Sequence, residues 1–228
     1  MNTIIYWNYR DNDSRNIYKF LGSPDFEAFC KKENISLFKK RDKFDKRDFW
    51  NEAQSHDTIF FFSHGVEDAV LKFRYKNEEK KEDYALATVS EIPEMAGKRI
   101  IAICCRSAET LGRKSMESED PPVFYIGFTG DITYNEGFSE KVRAKIYGIY
   151  SDAFKETIYI TAEKRLTGTD FSRELKHRIE RDFTEAIIND NSKETEKTTL
   201  AEATFFHETV KTLTVYGDGS AKVFPVDK

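Results

Sequence analysis

Short apolar runs alternate with amphipathic stretches over the first half of the chain. The runs predict buried strands, because a strand covered on both faces has few polar positions. Between them, apolar residues recur three or four positions apart, as on one face of a helix. This alternation indicates an α/β fold with a mostly parallel central sheet. The predicted strands are Thr3–Trp7, Ile35–Phe38, Thr58–Phe62, Arg99–Cys104 and Val123–Phe128, and the predicted helices are Pro24–Glu33, Lys43–Gln54 and Ser107–Ser118.

A hairpin is expected outside the main sheet. The segments Ala69–Tyr75 and Tyr84–Val89 are short and rich in strand-forming residues, and the charged tract KNEEKKED lies between them. Two such segments on either side of a polar connection are typical of antiparallel strands. Lysines offset the acidic residues of the tract, so we do not expect it to bind calcium.

The pattern changes after residue 135. Phe138–Ala162 and Asp170–Ile188 are predicted to be long amphipathic helices, and Leu200–Thr212 a short one. The closing segment LTVYGDGSAKVF predicts a hairpin that turns at Gly217–Gly219. No linker composition marks the change. We therefore expect one domain over residues 1–228, with a strand-rich core at about 1–135 and a helical part at about 136–228.

Composition supports a folded protein without a charged partner surface. Hydrophobic residues make up 39% of the 228 residues, and a chain of this length buries roughly 70% of its unfolded surface. The 36 basic and 40 acidic residues give a net charge of −4, and the basic ones are spread along the chain. We therefore expect no direct binding to nucleic acid or to an anionic membrane.

Location and cofactors are constrained by what the sequence lacks. The apolar run near the N-terminus is too short for a signal peptide, and no run approaches the ~20 residues of a membrane span. We expect a cytoplasmic protein. Three cysteines and four histidines show no spacing typical of a disulfide framework or a zinc site. We therefore expect no metal and no cofactor.

Two of the predicted strands end at residues with catalytic chemistry. The stretch TIFFFSHG ends with His64 and Gly65, and the stretch KRIIAICCRSAETLG contains Cys105 directly after its apolar run. The C-terminal ends of parallel strands lie at one edge of a sheet, where ligand sites form. If the two strands are neighbours, the imidazole can take the proton of the thiol, and the thiolate can attack a carbonyl.

Gly65 and the strand register add detail to this hypothesis. A residue without a side chain lets its backbone N–H approach a substrate, so the amides of Gly65 and Cys105 could bind an oxyanion. Ile101, Ile103 and Cys105 share one face of the strand, which favours Cys105 over Cys104 as the nucleophile. Each residue also has a structural interpretation, since a cysteine at a strand end is often a small core residue.

The same residues carry a family resemblance. The segment FFFSHGVEDAVL resembles the S-H-G segment of the caspase-like cysteine peptidases. The segment IIAICCRSA is similar to Q-A-C-R-G of caspases, D-C-C-H-S-G of metacaspases and the A-C-x-S strand end of CHAT-domain peptidases. His64 precedes Cys105 by 41 residues, against about 50 in caspases. The long C-terminal helices have no obvious caspase counterpart, so the CHAT-domain peptidases are the closest description.

This resemblance implies a caspase-like three-layer α/β/α sandwich, with an extra hairpin after the histidine strand and with C-terminal helices. It also implies a cysteine endopeptidase in which Cys105 and His64 form a catalytic dyad, and Cys104 is a structural neighbour. Small solitary CHAT-like peptidases are similar in plan to those of bacterial antiviral defence and signalling. The expected partners are a protein substrate and a protein regulator or sensor.

The sequence also offers candidates for the substrate pocket. Metacaspases place an aspartate two residues before the nucleophile to receive a basic P1 side chain, but Ile103 stands there in this sequence. Asp131, which follows the strand Val123–Phe128, and Arg10 and Asp11, which follow the first strand, would lie at the same edge of the sheet. They are the candidates for the S1 pocket, although solvated loop charges are an equally good interpretation.

Two other functions remain open. The first is a catalytically inactive caspase-like domain that uses its C-terminal helices to bind a partner protein, although intact Cys105, His64 and Gly65 argue against it. The second is a flavodoxin-like or redox module in which Cys104 and Cys105 cycle. The chain has no C-x-x-C motif and no phosphate-binding loop, so the second is the weaker.

Overall fold

The computed structural model of the protein describes residues 2–8, 12–40, 44–72, 84–132, 139–188 and 207–225. Its strands, in chain order, are β1 (Thr3–Asn8), β2 (Ile35–Lys40), β3 (Thr58–Phe62), β4 (Gly65–Val66), β5 (Ala69–Leu71), β6 (Ala85–Ala87), β7 (Arg99–Ile103), β8 (Phe124–Phe128) and β9 (Leu213–Gly217). Its α-helices are α1 (Asn12–Ile17), α2 (Pro24–Lys32), α3 (Lys46–Ala53), α4 (Arg113–Met116), α5 (Glu140–Lys164) and α6 (Gly168–Ile188).

Shorter helical segments complete the secondary structure. Lys19–Gly22 and Val89–Met95 are 3₁₀-helices, and residues 207–211 are helical. Ala108–Gly112 is a π-helical turn that leads directly into α4. Side-chain caps begin the regular helices, since Ser23 caps α2 and Asp45 caps α3. The second cap explains why α3 begins after the predicted start at Lys43.

The central sheet has the strand order β2-β1-β3-β7-β8-β9. The first five strands pair in parallel, and β9 joins the edge antiparallel to β8. The predicted α/β class with a mostly parallel sheet is therefore confirmed. Every residue of β1, β3 and β8 is buried, as continuous apolar runs require in a sheet with two covered faces.

Helices cover both faces of this sheet. On one face, Phe60, Phe62 and Ile103 pack among apolar residues of α1, α2, α5 and α6. On the other, Phe61 and Cys104 pack with α3, the 3₁₀-helix Val89–Met95 and the π-helical turn. The architecture is consistent with an α/β/α sandwich. Residues at alternate positions of one strand therefore belong to two different cores.

A second, three-stranded sheet follows the histidine strand, in the order β4-β5-β6. Both of its strand pairs are antiparallel, as predicted for a hairpin outside the main sheet. The predicted strand to Val89 is too long, because Thr88 and Glu91 form a capping box that begins the 3₁₀-helix. The tract at 73–83 lies outside the described residues.

The predicted C-terminal hairpin is wrong. β9 pairs with β8 over its whole length, and residues 218–225 do not return along it. Val223 and Phe224 are instead buried, and Phe224 packs against Phe60. The Thr58 hydroxyl donates to the Val223 carbonyl at 2.7 Å. The apolar pair is thus used to fill the core rather than to form a strand. Helix α1 was not predicted, because its sequence, NDSRNI, is almost entirely polar and shows no apolar periodicity.

A buried tyrosine holds the ends of β3 and β7 together. The Tyr18 hydroxyl donates to the Ile103 carbonyl at 2.8 Å and lies 3.5 Å from the Ser63 carbonyl. Its ring packs edge-on against Phe62. These contacts satisfy backbone carbonyls at the point where both strands stop pairing, and a buried carbonyl without a partner is costly.

We predict that Tyr18→Phe lowers the free energy of unfolding by about 1–3 kcal/mol, because the Ile103 carbonyl then lacks its donor. Urea denaturation measures the change. Tyr159→Phe, at a phenol that is far less buried, is the matched control and should have little effect. Equal midpoints for wild type and Tyr18→Phe would contradict the assigned role.

Candidate active site

The two strands that precede His64 and Cys105 are neighbours in the sheet. β3 and β7 pair in parallel, and the last pair in register is Phe62 with Ile103. His64 and Cys105 each follow that pair by two positions. The structure therefore brings both residues to the same end of adjacent strands. Both are half-buried, at the border between the core and solvent.

Gly65 lies directly against the cysteine segment. A Cβ atom on Gly65 would be 2.3 Å from the Cys105 carbonyl oxygen and 2.8 Å from Cβ of Cys104. Both contacts are shorter than any that real Cβ atoms make, and the first involves backbone that cannot move aside. Only glycine fits at this position without displacing the cysteine segment.

The hairpin after β3 fixes the histidine segment. The Leu71 amide donates to the His64 carbonyl at 3.0 Å, and the Ser63 hydroxyl donates to the Leu71 carbonyl. Gly65 pairs with Val70 in the small sheet. The extra hairpin therefore holds the residues on both sides of His64 at the edge of the main sheet.

The environment of Cys105 favours its neutral form. Burial raises the pKa of the thiol to about 11, and the negative charge of Asp131 adds to the rise. Two amides act in the opposite direction, those of Ile132 and of Cys105 itself. The Ile132 amide donates to the sulfur at 3.2 Å. The sulfur thus has a hydrogen-bond donor already in place, although burial and the Asp131 carboxylate oppose a negative charge on it.

Cys104 occupies a different environment. It is fully buried on the opposite face, with its thiol 3.5 Å from the Phe61 carbonyl. Burial raises its pKa well above the ordinary value. Of the two adjacent cysteines, only Cys105 has access to solvent, as expected for the next position along a strand. Cys30 is buried on α2, in the core of the other helical layer.

Arg106, the residue after Cys105, turns the chain sharply and forms two salt bridges. Arg106 adopts a left-handed backbone conformation, with φ of 52°, which is uncommon outside glycine. Its amide donates to the Gly130 carbonyl at 3.0 Å. Its guanidinium contacts Glu67 at 2.6 Å and Glu109 at 2.8 Å. Glu67 belongs to the hairpin after His64, so Arg106 joins the two segments of the site.

The backbone of Glu67 strengthens this connection. Its carbonyl accepts the amides of Thr110 and Leu111, at 2.9 and 3.0 Å, from the π-helical turn. Ser107, at the start of that turn, donates to the Cys104 carbonyl at 3.1 Å. π-helical turns are rare and frequent at functional sites. The histidine hairpin and the cysteine turn therefore form one hydrogen-bonded unit.

Of the three candidates for the S1 pocket, the structure describes one. Asp131 is exposed and directly precedes Ile132, so it lies beside the sulfur, and its charge acts on the thiol. Arg10 and Asp11 lie outside the described residues. Sequence reasoning missed the Ile132 amide and the Arg106 bridge. A backbone amide leaves no trace in a sequence, and the Glu67 partner of Arg106 depends on the geometry of the hairpin.

Within the described ranges, no group of three or more His, Cys, Asp or Glu side chains is placed to hold a metal ion. The helices that the structure describes include none with the length and apolar character needed to cross a bilayer.

The chain matches no protein-family model, and no curated protein matches it significantly. The geometry of the site is thus the main guide to function.

We predict that Gly65→Ala destabilises the protein by about 1–3 kcal/mol, because the added methyl group overlaps the Cys105 carbonyl. Thermal or urea unfolding measures this. Gly148→Ala on α5 is the matched control, since nothing lies within 4 Å of its new Cβ, and it should be neutral or slightly stabilising. Similar effects of the two substitutions would show that Gly65 is not packed against the cysteine segment.

We predict that Asp131→Asn lowers the pKa of Cys105, because it removes a negative charge that disfavours the thiolate. Alkylation by iodoacetamide requires the thiolate, so its rate at Cys105 should increase at any pH below the thiol pKa. Peptide mapping identifies the alkylated cysteine. Asp131→Glu keeps the charge and should resemble wild type. A slower reaction in Asp131→Asn would contradict the electrostatic role.

Proposed function

We propose that the protein is a cysteine endopeptidase of the caspase-like type, closest to the CHAT-domain peptidases. Cys105 is the nucleophile and His64 is the general base. One observation carries the proposal: the close approach of Gly65 to the Cys105 backbone, at the ends of adjacent parallel strands. This contact holds the S-H-G segment and the cysteine turn side by side, as a Cys-His dyad requires.

The proposed reaction is acyl transfer in two steps. His64 accepts the proton of the Cys105 thiol, and the sulfur attacks the carbonyl carbon of a peptide bond. The amides of Gly65 and Cys105 stabilise the resulting oxyanion. The C–N bond breaks, and the leaving amine takes the proton from the imidazolium. Water, deprotonated by His64, then hydrolyses the thioester and regenerates the thiol.

The resting state of Cys105 favours a regulated enzyme. With a thiol pKa of about 11, only about one molecule in ten thousand carries the thiolate at pH 7. Binding of a protein substrate or regulator can change the surroundings of the sulfur, and such control fits a peptidase of bacterial antiviral defence or signalling. We propose that the protein acts in the cytoplasm under control of a separate protein sensor.

The raised pKa of Cys105 also supports a second candidate function. A half-buried thiol whose pKa is raised by its surroundings is also typical of an unreactive structural cysteine. The chain would then be a caspase-like interaction domain without catalytic activity, which binds a partner protein. The two candidates differ in one measurable property, because a peptidase produces new protein termini that depend on Cys105.

Asp131 is the remaining candidate for substrate selection. Its carboxylate is exposed and its charge acts on the Cys105 thiol, so it can pair with a basic P1 side chain, whereas Ile103 is fully buried in the core and cannot. Desolvating a cationic P1 residue without such a partner costs several kcal/mol. The proposal therefore favours cleavage after Lys or Arg, with Asp131 in the S1 pocket.

We predict that co-expression with a cellular proteome produces new N-termini that disappear in Cys105→Ala and persist in Cys104→Ala. The reason is that Cys105 has solvent access, while Cys104 is sealed in the core. Mass spectrometry of labelled N-termini measures both, and Cys104→Ala controls for removal of a neighbouring thiol.

Three results of this experiment are informative. New termini that require Cys105 support the peptidase, and their sequences give the P1 preference, which should be basic and lost in Asp131→Ala. Equal loss in both cysteine variants, with both folded, would refute the choice of nucleophile. No termini, even with candidate partner proteins present, would favour the interaction domain.

A further inference from the structure

The C-terminal part of the chain reaches the candidate site through the loop 129–132. The Thr129 amide donates to the Thr212 carbonyl at 2.9 Å, and the Thr209 hydroxyl donates to the Asp131 carbonyl at 3.3 Å. A Cβ on Gly130 would lie 2.7 Å from Cγ2 of Thr212. The loop that follows β8 is thus held closely by residues about 80 positions later in the chain.

One peptide group joins Thr209 to the sulfur of Cys105. The Asp131 carbonyl, which accepts from Thr209, and the Ile132 amide, which donates to the sulfur, belong to the same peptide unit. That unit is planar, with its C=O and N–H pointing in opposite directions. A hydrogen bond that fixes the carbonyl therefore fixes the direction of the amide and also polarises it.

The Thr209 side chain is itself enclosed. Thr209 is 3% exposed, and the buried phenol of Tyr150, on α5, interacts with it. The Cys105 sulfur also acts on that phenol, so all three groups lie near one another. A threonine methyl group would satisfy packing at such a position, but a buried hydroxyl requires a partner, which the Asp131 carbonyl provides.

We propose that Thr209 is a positioning residue for Cys105: through the Asp131–Ile132 peptide it directs an amide at the sulfur and stabilises the thiolate. The inference rests on the proposed function in that Cys105 is the nucleophile. Other ionisable groups around the thiol are the Asp131 carboxylate on the loop, the Tyr150 phenol on α5, the buried Cys104 and, on the neighbouring strand end, His64. The Ile132 amide, together with the amide of Cys105 itself, acts against the effect of the carboxylate.

The test compares Thr209→Val with Thr209→Ser in the full chain. Valine keeps the shape and burial of threonine but cannot donate to the Asp131 carbonyl, whereas serine keeps the hydroxyl. The rate of Cys105 alkylation by iodoacetamide is measured from pH 7 to pH 11.5 with peptide mapping, and circular dichroism verifies the fold at each pH. This measurement needs no substrate, so it is independent of peptidase activity.

We expect the apparent pKa of Cys105, seen as the bend of the profile, to rise in Thr209→Val. Alkylation should then be slower by up to about tenfold at pH 8, the effect of losing the amide–sulfur hydrogen bond altogether, and by correspondingly less at pH 11.5, where the wild-type thiol is largely ionised. Thr209→Ser should follow wild type. A change in access alone would scale the rate equally at every pH and leave the bend in place. That result, or an unchanged or lower bend in Thr209→Val, would overturn the proposal.

A second measurement tests the proposal in the case that Thr209→Val does not fold. In the wild-type protein, the nuclear magnetic resonance of the Ile132 amide should move with pH at the bend of the alkylation profile, because that amide contacts the titrating sulfur. An Ile132 signal that is insensitive to this titration would overturn the proposal. If the pH profile of Cys105 alkylation depends on Thr209 but the protein cleaves no substrate, the positioning role of Thr209 is upheld and the proposed peptidase activity is refuted.

Discussion

The parallel pairing of β3 with β7 is the constraint on which the rest of the site depends. It brings two distant segments out of the sheet at the same level, one carrying His64 and the other Cys105. Because the pairing is parallel, both segments leave in the same direction and must share the space beyond the sheet. A glycine at position 65 makes this possible, since its backbone touches that of the cysteine turn. The salt bridge between Arg106 and Glu67 and the hydrogen bonds to the Glu67 carbonyl then join the two segments.

The central sheet could be predicted from the sequence because its strands are buried on both faces. Apart from Thr58 at its start, a strand such as β3 has no polar position, and that signal survives without knowledge of its neighbours. The strand order and the partner of β9 could not be predicted in this way. The sequence of β9 suits a hairpin equally well, but residues 219–223 instead form backbone hydrogen bonds with residues 166–169, and Val223 and Phe224 are buried.

The candidate site likewise contains some features that could be predicted from the sequence and others that could not. The side chains of His64 and Cys105 are visible as exceptions at the ends of apolar runs, and Asp131 was identified by its position after a strand. The Ile132 amide could not be found, since every residue but proline has one. The contact of Thr209 with the Asp131 carbonyl could not be predicted for another reason: it spans 78 positions and depends on a loop conformation that no local pattern encodes.

The peptide group between Asp131 and Ile132 has a consequence for how such a site changes over evolutionary time. It acts through backbone atoms, so apolar side chains of similar size could replace Ile132 without loss of the amide, and only proline would remove it. Much of the surroundings of the sulfur can then diverge while its chemistry stays constant. Comparison of amino-acid identities is a poor detector of such a site, whereas comparison of donor and acceptor positions around a sulfur atom would recover it.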